Sequence, residues 1–381
     1  MAGIYLHIPF CNSRCISCGF CSTVSRNLRQ KYIPALKREI SERRDFFSSL
    51  YESDQRIKTL YIGGGTPSVL PPDTLQEAVS AIRETFRIAE EYEFTVEVNP
   101  DDITENYATS LRKMGVNRVS MGVQSFKDSH LRWMRRRHDS ETAINAYNIL
   151  RKAGFDNISL DLIFGFPLMT VKEWEENLDK IIDLNPEHIS AYQMGIDPET
   201  PLEKMEKAGD FSLPSQEESE EMYTLLQKKL KESGYIQYEV SNFCKPDRHS
   251  RHNSSYWNRT PYLGLGPGAH SFIGKHREWN TSDIATWCDL STLQIREGET
   301  LSPEDVFNEI LMLGLRTTNG VSLNTLRNCG PQSPVFLSDL LPKISAMESK
   351  GLIALTKDGT IKIPPERFFI SDGIIRELFV C

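Results

Sequence analysis

Along the first two hundred residues, short apolar runs alternate with longer stretches in which apolar residues recur at helical spacing. The apolar runs cover residues 3–10, 58–65, 94–100, 117–126, 157–166 and 188–194. The amphipathic stretches include residues 31–47, 72–86, 141–154 and 171–184. Near-continuous apolar strands that alternate with helices predict an α/β fold with a parallel sheet covered by helices. Six repeats are fewer than the eight strands that normally close a barrel, so we predict an incomplete, TIM-like (β/α)6 barrel.

The alternation stops after about residue 200. The chain then predicts a helix over residues 217–233 and a loop rich in polar, aromatic and glycine residues over 249–272. We expect this part to extend the barrel. The predicted domains are the barrel (1–205), its extension with the loop (206–300) and a C-terminal domain (301–381).

The last eighty residues predict a small α+β domain. Two helical patterns, 304–317 and 336–351, precede an apolar stretch at 352–363 that contains the turn pair Asp358-Gly359. Helices followed by a hairpin are typical of a winged-helix-like domain. Without a basic recognition face, we expect this domain to dock or pack rather than to bind DNA.

Composition and charge narrow the cellular context. The 381 residues carry 44 basic and 52 acidic side chains, a formal net charge of −8, which argues against general nucleic-acid binding. No apolar run approaches the roughly 20 residues of a membrane span, and the N-terminus lacks an export pattern. We therefore expect a cytoplasmic protein, for which peripheral membrane contact stays open.

The cysteines are the strongest chemical feature. Four of the eight lie close together, at Cys11, Cys15, Cys18 and Cys21, and the other four are scattered, as expected of small buried side chains. Three thiolates spaced as Cys11-x3-Cys15-x2-Cys18 are suited to three irons of a [4Fe–4S] cluster, whose fourth iron stays open to a ligand. The alternative is a zinc site completed by Cys21 or His7.

This spacing resembles that of the radical S-adenosylmethionine (SAM) superfamily. There, the amino and carboxylate groups of SAM bind the open iron, and an electron from the reduced cluster splits SAM into methionine and a 5′-deoxyadenosyl radical. Such a site needs polar groups at the carboxyl ends of the strands. The sequence offers them in the segment Gly63–Pro67 and at Glu97, Gln124, Asp161 and Tyr192.

A basic run, Arg135-Arg136-Arg137-His138, follows the fourth predicted strand. Such a run is usually a solvated surface. At this position, however, one arginine is able to fold back and pair with the carboxylate of SAM.

Further motifs resemble the oxygen-independent coproporphyrinogen III oxidase family over nearly the whole chain. They are YLHIPFC (5–11), GGGTPS (63–68), VEVNPD (96–101), GVQSF (122–126), LDLIFGFP (160–167), YEVSNF (238–243) and HNSSYW (252–257). The resemblance implies a partial barrel with a smaller C-terminal domain, and a [4Fe–4S] cluster on Cys11, Cys15 and Cys18. The SAM contacts that it implies are Tyr5, Gly64, Gly65, Thr66, Glu97, Gln124, Arg136 and Asp161.

Within this family the chain is most similar to the heme chaperone branch. The decarboxylating oxidases carry a fourth cysteine two residues after the third, where this chain has Phe20, and they have an N-terminal arm, whereas here ten residues precede Cys11. Three positions depart from the usual pattern. Ser17 replaces an aromatic residue, Gly19 replaces an acidic one, and Cys21 is an additional thiol.

The HNxxYW motif at 252–257 marks the same branch. Imidazole is a common axial ligand of heme iron, and aromatic rings pack well on a porphyrin face. His252 is therefore a candidate heme ligand. The alternative is a histidine that holds a loop against the barrel by hydrogen bonds.

Three functions follow as hypotheses. The first is a heme chaperone that binds a [4Fe–4S] cluster, SAM and heme and passes heme to an acceptor protein, with an electron donor if SAM is cleaved. The second is an oxygen-independent coproporphyrinogen III oxidase. The third is a metal-stabilised binding protein without radical chemistry.

Overall fold

A computed structural model of the chain describes residues 2–48 and 56–380. The strands are β1 (Ala2–Ile8), β2 (Ile57–Gly64), β3 (Ile88–Val98), β4 (Arg118–Gln124), β5 (Ile158–Phe164), β6 (His188–Gln193), β7 (Ile236–Gln237), β8 (Asn242–Cys244), β9 (Tyr262–Leu265), β10 (His270–Ile273), β11 (His276–Trp279), β12 (Glu297–Thr300), β13 (Val321–Ser322), β14 (Ala354–Leu355) and β15 (Thr360–Lys362). The helices are α1 (Arg29–Glu42), α2 (Pro72–Thr85), α3 (Glu105–Met114), α4 (Asp128–Trp133), α5 (Ser140–Lys152), α6 (Val171–Leu184), α7 (Pro201–Ala208), α8 (Gln216–Glu232), α9 (Arg251–Trp257), α10 (Ile284–Asp289), α11 (Thr292–Ile295), α12 (Pro303–Leu315), α13 (Leu323–Arg327), α14 (Ser333–Ser349) and α15 (Ser371–Leu378).

The central sheet has twelve strands in the order β12-β11-β10-β9-β1-β2-β3-β4-β5-β6-β8-β7. Strands β1 to β6 run parallel in sequence order, as the six repeats predict, and the prediction of an incomplete barrel is confirmed. Strand β9 adds a seventh parallel strand beside β1. Antiparallel strands continue the sheet on both sides, and β7 and β12, at its two ends, are not paired with each other in the described parts of the chain.

The prediction of a loop over residues 249–272 is wrong, because this segment contains helix α9 and strands β9 and β10. Helix α9 begins after Ser250, whose side-chain oxygen accepts a hydrogen bond from the backbone N–H of Asn253 at 3.3 Å. The three elements have four to seven residues each. Elements this short show too little periodicity to be recognised from the sequence.

The barrel sheet has an apolar outer face and a polar inner face. Successive side chains of a strand point to opposite faces, so Leu60 and Ile62 of β2 are buried against the helices. On the inner face of β4, every second residue from Arg118 to Gln124 lines a cavity inside the barrel. The hydrophobic core therefore surrounds the barrel, and polar side chains are gathered within it.

The C-terminal region matches the predicted winged-helix-like domain. Strands β13, β15 and β14 form a separate antiparallel sheet, and the hairpin between β14 and β15 turns at Gly359, with φ of 78°. Helix α15, which the sequence did not predict, packs against α12 and α14. The exact domain limits (205/206 and 300/301) stay a prediction.

Helices across the described ranges are too short or too polar to cross a membrane. Of the scattered cysteines, Cys244 and Cys288 are buried as expected, Cys329 is half-buried, and Cys381 lies outside the described residues.

Candidate functional site

A cavity of about 470 Å³ opens at the carboxyl ends of the barrel strands. The predicted site residues that line it are Cys11, Cys15, Cys18, Gly64, Gly65, Thr66, Glu97, Gln124, Arg136, Asp161 and Tyr192. Residues from the cysteine loop and from five of the strands or their following loops thus meet in one place. The lining does not include Tyr5 or His252.

Two of the three cysteines contact the glycine segment and the basic run. Cys11 is buried, and its Sγ lies 3.5 Å from the Oγ1 of Thr66. The half-buried Cys15 accepts a hydrogen bond from Nη1 of Arg136 at 3.3 Å. Burial raises the pKa of the thiols of Cys11 and Cys18. Both thiols are therefore protonated at neutral pH until a metal replaces the proton.

The alternative zinc site is not formed. Cys21 turns away from the other cysteines and donates a hydrogen bond from Sγ to the carbonyl of Ser282 at 3.2 Å, and burial raises its pKa to about 11. The Nε2 of His7 lies 2.7 Å from the carbonyl oxygen of Cys21. Within residues 2–48 and 56–380, no three His, Cys, Asp or Glu side chains are placed to hold one metal ion. A cluster differs, since each of its cysteines binds a separate iron.

Glu97 is fixed from two directions. Its Oε1 accepts a hydrogen bond from the hydroxyl of Tyr61 at 2.7 Å, and its Oε2 accepts one from the backbone N–H of Gly64 at 3.1 Å. A side chain on Gly63 would lie 2.8 Å from this carboxyl group, which explains glycine there. Burial raises the pKa of Glu97 to about 7, although these hydrogen bonds oppose the shift.

Asp161 and Gln124 lie on neighbouring strands. The carboxyl of Asp161 accepts hydrogen bonds from the hydroxyls of Ser120 and Ser159, each at 3.2 Å, and burial raises its pKa. Gln124 ends β4 with φ of 68°, a left-handed conformation that is uncommon for residues other than glycine. This conformation of Gln124 changes the direction of the chain at the end of β4, beside the cavity.

Arg136 folds back into the site, as predicted for one arginine of the basic run. Its Nη2 donates hydrogen bonds to Oδ1 of Asn99 at 2.7 Å and to the carbonyl of Gly122 at 2.8 Å. The neighbouring Arg137 instead pairs with Asp102 at 3.0 Å. Arg136 is thus the arginine that joins the cysteine loop to the barrel wall.

Tyr5 lies behind the glycine segment. Its hydroxyl is 3.0 Å from Nδ1 of His7. The His7 ring in turn fills the space next to Gly64, where a Cβ would lie 2.6 Å from Nδ1 and where φ is 113°. Tyr5 therefore supports the segment that lines the cavity.

His252 is fully buried, and both of its ring nitrogens are hydrogen-bonded. Nδ1 lies 2.8 Å from Oγ1 of Thr59, and Nε2 lies 2.9 Å from the hydroxyl of Tyr256. The ring stacks on Tyr61 at a centroid distance of 5.0 Å. Burial, followed by the charge of Arg118, lowers the pKa of His252 to about 3, so the ring is neutral. Its role as a heme ligand stays a prediction.

The sequence assigned no individual role to several residues of the cavity lining. Tyr61, Asn99, Arg118 and Asn253 are among them. Tyr61 and Arg118 occupy inward positions of their strands, and period-two alternation would have assigned them to the same faces as Gly63 and Gln124. Asn99 directly follows β3, where strand-end residues were expected to be functional.

Two family models match the chain. The model of the radical SAM superfamily matches residues 5–181, and the model of the HemN C-terminal domain matches residues 301–360. The first match includes the cysteine loop and the ends of strands β1 to β5. The second covers most of the separate three-stranded sheet and its helices.

The chain is also similar to several named proteins over most of its length. Heme chaperone HemW of Bacillus subtilis is 34% identical over 372 residues, which are 95% of this chain and 97% of the relative. The chain belongs to the HemW family of radical SAM proteins. Heme chaperone HemW of Synechocystis is 34% identical, with 84% of this chain and 78% of the relative covered. A zebrafish (Danio rerio) relative, mitochondrial radical S-adenosyl methionine domain-containing protein 1, is 32% identical, with 84% and 74% covered.

The HemW family fold extends to a solved structure of lower sequence similarity. The structure titled coproporphyrinogen III oxidase (HemN) from Escherichia coli aligns with a TM-score of 0.84 at 24% identity. The alignment covers all of this chain and 90% of the other. It confirms the architecture predicted from the sequence.

Membership of the radical SAM superfamily implies a [4Fe–4S] cluster and SAM, and the residues of this HemW family member fit both groups. Three thiols line one cavity beside Gly65, where a Cβ would lie 3.0 Å from Sγ of Cys11. The bare backbone leaves this approach free. Glu97 and Asp161 offer carboxyl groups, and Arg136 offers a cation, to a ligand that carries hydroxyl, ammonium and carboxylate groups.

Two positions of this HemW family member depart from the usual motif, Gly19 and Ser17, and the structure shows what surrounds each of them. A side chain on Gly19 would lie 2.6 Å from Oδ2 of Asp197, so the carboxyl of Asp197 occupies the space where an acidic residue at position 19 would point. Ser17 lines the cavity without an aromatic ring. Adenine stacking is therefore not available from position 17.

Proposed function

We propose that this protein is a heme chaperone that binds a [4Fe–4S] cluster, SAM and heme, and transfers heme to an acceptor protein. One observation carries the proposal: similarity to the heme chaperone HemW of Bacillus subtilis extends over 95% of the chain. The similarity therefore includes the cavity, helix α9 and the C-terminal domain.

Cys11, Cys15 and Cys18 are the proposed cluster ligands. Arg136 supports this assignment, since its guanidinium reaches both the sulfur of Cys15 and the barrel wall at Asn99. When bound and reduced, the cluster supplies an electron for the cleavage of SAM, which requires an electron donor.

The proposed SAM contacts are Tyr5, Gly64, Gly65, Thr66, Glu97, Gln124, Arg136 and Asp161. All but Tyr5 line the cavity. Glu97 and Asp161 accept hydrogen bonds from hydroxyl or ammonium groups, while Arg136 pairs with the carboxylate. Tyr5 acts indirectly, through His7 and the segment around Gly64.

Two aromatic side chains of the cavity lining support the binding of a flat macrocycle. Phe20 and Tyr192 line the cavity and are 68% and 42% exposed. Aromatic side chains pack well on porphyrin faces. Phe20 also occupies the position of the fourth cysteine of the decarboxylating oxidases, which favours the chaperone over the oxidase.

The experiment is an anaerobic reconstitution followed by heme titration. We expect about four irons and four sulfides per chain, binding of heme, and transfer of bound heme to an apo-hemoprotein. Zinc without sulfide would support a metal-stabilised binding protein instead. A reconstituted protein that shows no heme binding would contradict the proposal.

The second candidate function is oxygen-independent coproporphyrinogen III oxidase. The structural similarity to HemN over the whole chain favours keeping it. The reconstituted protein is incubated anaerobically with coproporphyrinogen III, SAM and a reductant. Formation of protoporphyrinogen would establish the oxidase, and its absence beside heme transfer would establish the chaperone.

A further inference from the structure

Arg118 is a charged residue of the cavity that has no role in the proposed cluster and SAM sites. Arg118 begins β4, lines the cavity and is only 1% exposed. It lies six residues before Gln124, about 20 Å along the strand at roughly 3.3 Å per residue. Arg118 therefore marks the floor of the cavity, at the end opposite to the cysteines.

Two of the three guanidinium nitrogens of Arg118 lack a partner among the residues described. Its Nε and Nη1 are buried without a hydrogen-bond acceptor. Thr95, its register neighbour on β3, likewise has a buried Oγ1 without a partner. Buried charges and hydroxyls are costly unless they are paired, so such a group points to a ligand.

The nearby carboxyl groups are engaged elsewhere. Glu97 is held by Tyr61 and Gly64, and Asp161 is held by serine hydroxyls on β4 and β5. Both influence Arg118 only through space. Arg118 thus faces the cavity with two carboxyl groups near it, neither of which is a recorded hydrogen-bond partner.

Helix α9 adds a second polar group to the same floor. Asn253, the second residue of the HNxxYW motif, is half-buried and lines the cavity, whereas His252 next to it points into the hydrogen-bond network with Thr59 and Tyr256. An asparagine amide and an arginine fork together match the oxygens of a carboxylate.

We propose that Arg118 and Asn253 bind a propionate carboxylate of the heme cargo. This inference rests on the proposed function. SAM carries a single carboxylate, for which Arg136 is placed beside the cysteines, so Arg118 is left for a second anionic group. Propionates project from one edge of a porphyrin, and entry by that edge brings a carboxylate to the floor first. The HNxxYW motif then contacts the cargo through Asn253.

The test compares heme with heme dimethyl ester, which lacks the charged carboxylates. Both are titrated into the reconstituted full-length protein, as wild type, Arg118→Gln and Asn253→Asp. The control is Arg87→Gln, which removes an exposed arginine outside the cavity. We expect wild type and Arg87→Gln to bind heme roughly ten- to a hundredfold more tightly than the ester.

In Arg118→Gln this preference for free heme should disappear. Asn253→Asp keeps Arg118 and places a negative charge on the floor of the cavity, so it should weaken the binding of heme but not the binding of the ester. This second variant keeps the inference testable if Arg118→Gln folds poorly. Equal binding of heme and ester by wild type, or a preference kept in both variants, would overturn the inference. A loss of SAM affinity in Arg118→Gln with an unchanged heme preference would overturn it in favour of SAM. Wild type that binds neither porphyrin would contradict the proposed function itself.

Discussion

The cysteine loop and helix α9 both carry a conspicuous motif, yet the structure treats their key side chains in opposite ways. Cys15 and Cys18 are half-buried and line an open cavity. His252 is fully buried, outside the cavity lining, with a partner at each ring nitrogen. A motif with reactive side chains therefore does not by itself identify a ligand-binding atom. The number of hydrogen bonds that the atom already makes is the better guide.

The two regions are nevertheless connected. His252 stacks on Tyr61, and the hydroxyl of Tyr61 donates to Glu97. Glu97 in turn holds the backbone of Gly64. Through these contacts, helix α9 supports the wall of the cavity even though His252 stays outside it.

The largest effect is expected at the cysteine loop, which lines the open cavity. Cys15→Ala removes one proposed iron ligand, so the reconstituted variant should lose most of its cluster while its circular dichroism spectrum stays that of wild type. Iron and sulfide analysis with the absorbance spectrum measures this. Cys21→Ala is the matched control and should retain the cluster, because Cys21 points to Ser282. A full cluster in Cys15→Ala would remove Cys15 from the ligand set.

Glu97→Gln should weaken SAM binding by roughly ten- to a hundredfold, since it removes a charged acceptor. Isothermal titration of the reconstituted protein with SAM measures this. The proposed contact would be wrong if the affinity of Glu97→Gln equalled that of wild type.

The stability of Glu97→Gln should also depend on pH in a different way from the stability of wild type. The pKa of Glu97 rises from the ordinary 4.5 to about 7 on folding, so its ionisation in the folded protein destabilises wild type as the pH rises through this range. Relative to wild type, Glu97→Gln should gain up to about 3 kcal/mol of unfolding free energy between about pH 4.5 and 7. Denaturant unfolding of both proteins at several pH values measures the difference. A pH-independent difference would contradict the raised pKa. The ionisable groups that face Glu97 are Tyr5, Tyr61, Arg118, Asp161 and Tyr256.

A smaller effect is expected at helix α9, where His252 is buried outside the cavity lining. His252→Gln leaves hydrogen-bond partners at Thr59 and Tyr256 but removes the ring that stacks on Tyr61, and it should cost about 1–3 kcal/mol of stability. An unchanged heme spectrum would remove His252 from the predicted heme site, because neither ring nitrogen is free in this structure. Loss of the wild-type heme spectrum would instead establish His252 as the iron ligand, after a rearrangement that frees one nitrogen.

Local patterns explain how much of this could be predicted from the sequence. The cysteine spacing lies within eight residues, and the strands β1 to β6 are long apolar runs, so both were recognised. The separate C-terminal sheet followed from a helix–helix–hairpin order and a turn at Gly359.

The remaining features depend on long-range contacts. Strand β9 is recognisable only by its pairing with β1, which lies about 260 residues earlier in the chain. The importance of Arg118 comes from two buried nitrogens that lack a partner among the described residues, which a sequence does not show. The burial of His252 likewise depends on Thr59 and Tyr61 of a distant strand.

The smallest effect is expected outside both regions, in the C-terminal hairpin. Gly359 has a left-handed φ of 78°, so Gly359→Ala should destabilise the protein by about 1 kcal/mol without changing its affinity for SAM. Gly373→Ala is the matched control, because Gly373 lies in helix α15 with open space at its Cβ, and there alanine should stabilise by about 0.5–1 kcal/mol. Thermal unfolding with SAM titration measures both variants. If Gly359→Ala weakened SAM binding severalfold, the C-terminal domain would be coupled to the cavity, and the contrast between an open and a closed region of the barrel would not be sufficient to describe the site.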